Sequence, residues 1–222
     1  MDSETWTTFH FCMTSAVAIF TVLNPFHAIP LYLGMAPDQT REQKNHVARL
    51  AGLTTFIAMV LALFFGDDVL AFFGITIAAF KAGSGIVLGM LALSMVGGQV
   101  SPIKVVPEET AEVAHWSSIA VVPLGTPILA GGGVLSTVIL LAHEAMRLSE
   151  TLALLAAIVL NAAGAWGLLR LSRRIQRLFG TTGINIVTRL MGLILMALAV
   201  EFVVGGVREL FESPRGSGLH GR

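Results

Sequence analysis

Charged side chains are scarce in this chain. Only 13% of its 222 residues are Asp, Glu, Lys or Arg, whereas 55% are hydrophobic. The mean hydropathy is +0.78. A soluble domain of this size needs more polar surface to face water. We therefore expect most of the surface to face lipid.

The chain also has little that would serve catalysis, redox chemistry or nucleic-acid binding. Fourteen Lys and Arg balance fourteen Asp and Glu, so no basic excess indicates a nucleic-acid partner. The single cysteine, Cys12, can form neither an internal disulfide nor a CxxC pair. The six histidines show no metal-ligand spacing, so we expect no metal and no other cofactor. Ser136 and His143 would lie about 10 Å apart on one helix, too far for a nucleophile and its base, so we expect no enzyme.

Six apolar segments are long enough to cross a membrane. They lie near residues 9–34, 48–66, 69–97, 118–143, 151–170 and 184–207. The polar linkers that we expect between them include the Asp67-Asp68 pair and the segment from Arg170 to Arg177. This pattern predicts an all-α integral membrane protein with about six transmembrane helices. We expect one membrane domain over residues 1–210 and a loose tail over 211–222, which is rich in Gly, Ser and charge.

Three residues inside the spans are expected to join helices. Asn161 is expected to form a hydrogen bond between helices, with a substrate contact as the alternative, and Gly85 and Gly89 are expected to form a close-packing face.

The distribution of basic residues predicts the orientation. With the N-terminus outside, eight basic residues fall in the inside loops and four in the outside segments. The inside set is Arg41, Lys44, Arg49, Lys104, Arg170, Arg173, Arg174 and Arg177, and the outside set is Arg147, Arg208, Arg215 and Arg222. We therefore expect a multi-pass protein of the bacterial inner (plasma) membrane with both termini outside, in the periplasm.

Two features recur about one hundred residues apart, which indicates an inverted pair of three-helix repeats, one over about 9–97 and one over about 118–207. The first feature is a pair of prolines in the leading span of each half, where a missing backbone donor interrupts the helix. A simple kink is the alternative for each pair taken alone. The residues are Asn24-Pro25 and Pro30 in the first half, and Pro123, Gly125, Thr126, Pro127 and Gly131 in the second.

The second feature is a Phe-Gly pair followed by a Thr, a lone cation and another Gly. It runs from Phe73 through Lys81 to Gly85, and from Phe179 through Arg189 to Gly192. Neither cation has a charged neighbour one helical turn away, so we expect each to face the bundle interior, with snorkelling to an interface as the alternative. Glu201, the only carboxylate well inside a span, is a candidate proton carrier or an interfacial residue.

The segments Asn24–Pro30, Pro123–Gly131 and Thr188–Leu195 together resemble the MarC/SnatA family of six-span membrane proteins, which is related to the LysE-type exporters. The chain departs from that family at Lys81, where an arginine is usual, and at Glu201, where a neutral Gln is more common. The resemblance implies transport of small neutral amino acids, with the substrate between the two broken helices.

The leading hypothesis is therefore a secondary transporter whose partner is a zwitterionic amino acid, coupled to a proton or Na+. Substrate-binding candidates are Asn24, Pro25, Pro30, Lys81, Pro123, Gly125, Thr126, Pro127, Gly131 and Arg189, and Glu201 is the candidate for proton coupling. A small-solute channel gated at the breaks is the alternative, and a membrane scaffold is a third reading. Oligomers are compatible with each.

Overall fold

Six helices of thirteen residues or more form most of the part of the chain that the structure describes. The computed structural model describes residues 3–26, 28–29, 32, 41–97 and 131–212. The helices are α1 (Ser3–Leu23), α2 (Arg41–Phe72), α3 (Ile77–Val96), α4 (Gly132–Glu144), α5 (Leu148–Gly180) and α6 (Thr182–Glu212). All but α4 are long and apolar enough to cross a membrane. The protein is a multi-pass all-α membrane protein, as the hydropathy predicts.

The two Phe-Gly pairs are the chain reversals between the second and third helices of each half. Gly74 follows α2 with φ 66°, and Gly180 ends α5 with φ 63°. A positive φ is accessible to glycine at little cost and stops a helix. After Gly74, the Ile75 N–H donates to the Leu70 carbonyl at 2.9 Å, which closes α2. The repeated motif therefore has the same structural role twice.

These reversals place two helix ends later than the sequence predicts. The Asp67-Asp68 pair was expected to form a linker, but α2 continues through it to Phe72. The basic segment from Arg170 to Arg177 was also expected to be a linker, yet it forms the last turns of α5. Helix α6 extends to Glu212, two residues into the predicted tail, and residues 213–222 lie outside the described ranges. Helices stop where the backbone requires it, and polar side chains alone do not end them.

Three polar contacts, two of them ion pairs, show that the two halves have opposite orientations. Glu4 at the start of α1 contacts Arg147 just before α5, at 3.3 Å. Asp67 near the end of α2 contacts His143 near the end of α4, at 3.4 Å. Lys81 near the start of α3 contacts Glu209 near the end of α6, at 2.6 Å. Each helix of the first half therefore runs opposite to its counterpart in the second, and we call the end with these pairs the mixed end.

The other end of the bundle carries cations and is called the basic end. Lys44 at the start of α2 lies beside the last turns of α5. Its basic residues in the described ranges are Arg41, Lys44, Arg49, Arg170, Arg173, Arg174 and Arg177. The charges thus segregate between the two ends as the count of basic residues predicts.

Small residues let α3 and α6 pack closely along most of their length. A Cβ at Gly85 would lie 2.7 Å from the Ala199 carbonyl oxygen, and one at Gly192 would lie 3.2 Å from the Ala92 carbonyl oxygen. The predicted close-packing role of Gly85 and Gly89 is confirmed, because Gly89 also faces Ala199. In lipid the hydrophobic effect does not drive helices together. Van der Waals contact between their backbones is therefore the main force that joins them.

The remaining helices close around α1 and α4. The Asn161 side chain of α5 donates to the Ala16 carbonyl of α1 at 3.1 Å, so the expected role of Asn161 in joining helices is confirmed. Gly66 of α2 packs on Ile139 of α4, and Gly52 of α2 packs on Trp166 of α5. The short helix α4 thereby lies among α1, α2 and α3, where its start meets the end of α1.

Candidate functional site

The predicted break in the first span is present at Asn24. Helix α1 ends at Leu23, and Asn24 has φ 36°, the only positive φ at a non-glycine residue in the described part of the chain. Its N–H donates to the Phe20 carbonyl at 2.9 Å, and the chain returns to helix at Pro25 and Phe26. Because proline has no N–H, the Thr21 carbonyl loses the donor that a continuous helix would supply. The break therefore leaves the Thr21 carbonyl oxygen inside the bundle without its usual helical donor.

The Asn24 side chain is buried, and only one of its two polar atoms has a hydrogen-bond contact. It is 4% exposed, and its Nδ2 lies 3.8 Å from the Met95 sulfur of α3, a weak acceptor. Its Oδ1 is fully buried and has no hydrogen-bond partner among the described residues. An unsatisfied buried acceptor costs about 1–3 kcal/mol, so such groups are uncommon without a reason.

The second interruption ends beside the first. Gly131 is extended, with φ −61° and ψ 169°, and α4 begins at Gly132 without a side-chain cap. A Cβ at Gly133 would lie 2.6 Å from Leu88 of α3 and 3.3 Å from Val22 of α1. The absence of a side chain at Gly133 therefore lets the start of α4 approach α1 two residues before the Asn24 break. The first N–H groups of α4 have no partner within the helix.

Asn24 and the start of α4 do not lie at the middle of the bundle. Asn24 is twenty residues from Glu4, which lies at the mixed end, and this is about 30 Å of helix. Its contact residue Met95 is next to the last residue of α3. The Asn24 site therefore lies nearer the basic end than the mixed end, because α1 runs almost its full length from the mixed end before the Asn24-Pro25 break.

Lys81 lies on a different level from the break. It is fourteen residues from Met95 along α3, or about 21 Å. Its Nζ pairs with Glu209 at 2.6 Å, and the Lys81 side chain is 21% exposed. Lys81 has no charged neighbour one helical turn away, but the fold brings it to Glu209, which lies 128 residues further along the chain. Lys81 and Asn24 therefore cannot contact one small ligand together.

Arg189 lies near the level of Asn24 along the bundle, but its side chain does not face the interior. Its side chain is exposed, whereas Thr188 before it is 9% exposed. Gly85 and Gly192 are 107 positions apart, as are Ala92 and Ala199, and the same offset pairs Lys81 with Thr188. The expectation that Arg189 faces the interior and corresponds to Lys81 is wrong, because a one-residue shift turns a side chain by about 100° around a helix.

Glu201 is exposed as well, on the outer side of α6. Of the charged side chains in the described ranges, the buried set contains Lys44 alone. Glu201 is therefore not an occluded carboxylate in the described structure. Its exposure gives no support to its expected part in proton coupling.

The described interior also contains two serines that the sequence did not single out. Besides Asn24 Oδ1 and Asn161 Oδ1, the buried side-chain atoms without a hydrogen-bond partner in the described residues are Ser15 Oγ and Ser84 Oγ. Serines at helical spacing in apolar spans are common, so no local signal marks these two. Of the remaining candidates, Pro25 is buried beside Asn24. Pro30, Pro123, Gly125, Thr126 and Pro127 lie outside the described residues.

Comparison with known proteins now gives the family. The chain matches the family described as MarC family integral membrane protein over residues 9–211. It belongs to the MarC family. The UPF0056 membrane protein YhcE of Escherichia coli is 37% identical over 195 residues, which cover 88% of this chain and 91% of that protein. A UPF0056 membrane protein of Aquifex aeolicus is 34% identical, with 88% and 92% covered.

The family extends to archaea. The UPF0056 membrane protein MJ1677 of Methanocaldococcus jannaschii is 33% identical over 191 residues, which cover 86% of this chain and 93% of that protein. These names describe membrane proteins and state no substrate. No solved structure matches this chain. The resemblance noted in the sequence is therefore confirmed at the level of the MarC family.

Proposed function

We propose that this MarC protein is a secondary transporter of small neutral amino acids and not an enzyme, with the substrate held between the end of α1 and the start of α4. The observation that carries the proposal is Asn24, a buried amide in a left-handed conformation whose Oδ1 lacks a partner among the described residues. A residue held in a strained backbone conformation, with an unused acceptor, is expected at a binding site more than in a purely structural turn.

The two helix ends suit opposite charges of a zwitterion. The start of α4 at Gly132 presents free N–H groups and a positive dipole end, which favour a carboxylate. The end of α1 presents the Thr21 carbonyl and the Asn24 Oδ1, which favour an ammonium group. Since Gly133 packs on Val22, both ends border the same space. A small side chain on the substrate fits this close approach.

Transport into proteoliposomes tests the proposal. We expect saturable uptake of alanine, serine or glycine and counterflow after preloading with unlabelled substrate. Asn24→Gly keeps the positive φ but removes the amide, so we expect a raised KM with nearly normal folding. Asn161→Ala is the matched control, because it removes a buried amide that joins α5 to α1, and it should lower stability while leaving the KM of the folded protein unchanged.

A small-solute channel is the alternative, in which the same breaks form a gate. A pore shows neither saturation within the substrate range nor counterflow, so those two measurements separate the functions. Uptake driven by a pH gradient, compared with uptake driven by a Na+ gradient, identifies the coupling ion. If Glu201→Gln abolishes proton-driven uptake, the carboxylate carries the proton despite its exposed position.

The proposal includes the bacterial inner membrane as location and both termini outside. It is supported by the segregation of charge, because Arg170, Arg173 and Arg174 lie at the end opposite to Glu4. Single cysteines introduced at Ser149 or Arg177, in a Cys12→Ser background, test the orientation by labelling with an impermeant thiol reagent in intact cells. Labelling at Arg177 but not at Ser149 would reverse the orientation.

A further inference from the structure

A cleft of about 630 Å³ opens at the basic end between α2 and α5, separate from the Asn24 site. Residues of α5 one and two turns apart form one wall, and the start of α2 forms the other. Its principal lining residues are Tyr32, Lys44, Trp166, Arg170, Arg173 and Arg174. Arg170, Arg173 and Arg174 share a helix face because they are three and four positions apart. No carboxylate of the described residues lines this cleft.

The three arginines have no salt bridge with a carboxylate in the described ranges. Arg170 is held over the Trp166 ring, with its guanidinium carbon 5.6 Å from the ring centroid. Stacking of this kind orients a guanidinium without neutralising it. On the opposite wall, the Tyr32 hydroxyl donates to the Lys44 carbonyl at 2.5 Å, which fixes the start of α2 against the chain after the break.

We propose that this cleft binds a phosphate-bearing anion through Arg170, Arg173 and Arg174. A guanidinium presents a planar fork of donors that matches phosphate oxygens, and several forks on one helix face can contact one phosphate group. Arg177 differs from these three, since it lies one turn further along α5 and is not part of the lining.

The headgroup of an anionic lipid is the source that the surroundings favour. The cleft lies at the level where the apolar part of α5 ends, and the exposed side chains of Trp166 and Leu171, 36% and 43% exposed, adjoin it. Tryptophan is typical of the membrane interface, and basic pockets between helices on that side of a membrane bind acidic headgroups. A soluble phosphate compound has the same anion chemistry and is distinguished by experiment.

The test measures lipid binding to the purified full-length protein by native mass spectrometry and thermal stabilisation. The probes are phosphatidylglycerol, phosphatidylcholine and inorganic phosphate. We expect phosphatidylglycerol to bind with preference over phosphatidylcholine. Removal of the three charges in Arg170→Gln/Arg173→Gln/Arg174→Gln should weaken that binding by about a hundredfold, since each of the three cations contributes roughly fivefold. Arg177→Gln, with one charge removed from the same helix outside the cleft, should bind like the wild type.

The outcomes are decisive in both directions. Equal binding of the two lipids would show that no anionic headgroup is recognised and would overturn the site. The same loss per charge in Arg177→Gln as in the triple variant would also overturn it, in favour of diffuse surface charge. Stabilisation by inorganic phosphate as strong as that by phosphatidylglycerol would support the anion site and assign it to a soluble ligand. Because the three arginines are exposed, folding should survive; if the triple variant is unstable without lipid, the single variant Arg173→Gln and its conservative partner Arg173→Lys give the same comparison. Binding is measured without transport, so this result is independent of the amino-acid proposal.

Discussion

Helices α3 and α6 occupy equivalent places in the two halves, yet they agree in packing and differ in charge. Gly85 meets Ala199, and Gly192 meets Ala92, at one constant spacing in the sequence. Lys81 of α3 is partly buried and paired with Glu209, whereas Arg189 of α6 is exposed. The comparison teaches that the duplicated unit keeps its backbone contacts, because two helices can approach this closely only over small residues, while its charges were free to diverge.

The largest effect among these variants is expected from Gly85→Ala, which should break a backbone contact between the two helices. The new Cβ would lie 2.7 Å from both the backbone oxygen of Ala199 and the backbone nitrogen of Val203, and backbone cannot move aside locally. We expect a loss of about 2–3 kcal/mol or failure to fold. The measurement is the midpoint of thermal unfolding in detergent, followed by size-exclusion chromatography.

The matched control for that variant is Gly83→Ala, two residues away in the same helix. A Cβ at Gly83 would meet nothing within 4 Å, and alanine favours helix over glycine by about 1 kcal/mol in water. Gly83→Ala should therefore be neutral or stabilising. Equal destabilisation by both variants would show that α3 is sensitive to any substitution and that the close contact is not the cause.

A smaller loss is expected from Gly192→Ala, the repeat-related change in α6. Its Cβ would first meet the side-chain atoms Met95 Cβ and Val96 Cγ2, each at 3.0 Å, and these can shift by a few tenths of an ångström. We expect about 1 kcal/mol of destabilisation, measured in the same unfolding experiment. If Gly192→Ala proves as harmful as Gly85→Ala, the two contacts are energetically equivalent and the asymmetry in their geometry has no consequence.

A modest effect is expected when the Lys81–Glu209 pair is broken. Their side chains are 21% and 45% exposed, and pairs of this exposure contribute about 1 kcal/mol or less. Lys81→Met and Glu209→Gln should each lower stability slightly, and the double variant should be no worse than either, in a double-mutant cycle with uptake as second readout. Uptake abolished by Lys81→Met but retained by Glu209→Gln would return Lys81 to the substrate path.

The smallest effect is expected from Arg189→Gln. The side chain is exposed, so stability should change by no more than about 0.5 kcal/mol and uptake should be nearly normal, with Arg208→Gln as the control for loss of one exposed charge. Both are measured on the same purified protein. Loss of uptake in a stably folded Arg189→Gln would contradict the division between paired and exposed cations, and would make Arg189 a functional residue.

Much of the fold could be predicted because the signals are local. Membrane spans depend on the summed hydropathy of about twenty neighbouring residues, so their number follows from the sequence. The Asn24-Pro25 break follows from the missing N–H of proline, and the repeat follows from two Phe-Gly pairs, whose glycines share a positive φ. The sequence predicts linkers at Asp67 and at the segment that ends with Arg177, because these residues are charged. The helices nevertheless continue to the two glycines with a positive φ.

The sequence by itself determined the lipid surroundings, the apolar spans, the duplicated order of the helices and the place of the first break, since each depends on the chemistry of adjacent residues. Only the tertiary structure decided which face and which level each polar residue occupies. It paired Lys81 with Glu209 across 128 positions, turned Arg189 outward, and set Asn24 beside Met95. The physical reason is that a helix turns its side chains by about 100° and rises 1.5 Å per residue, so one residue of register separates a bundle interior from a lipid-facing surface.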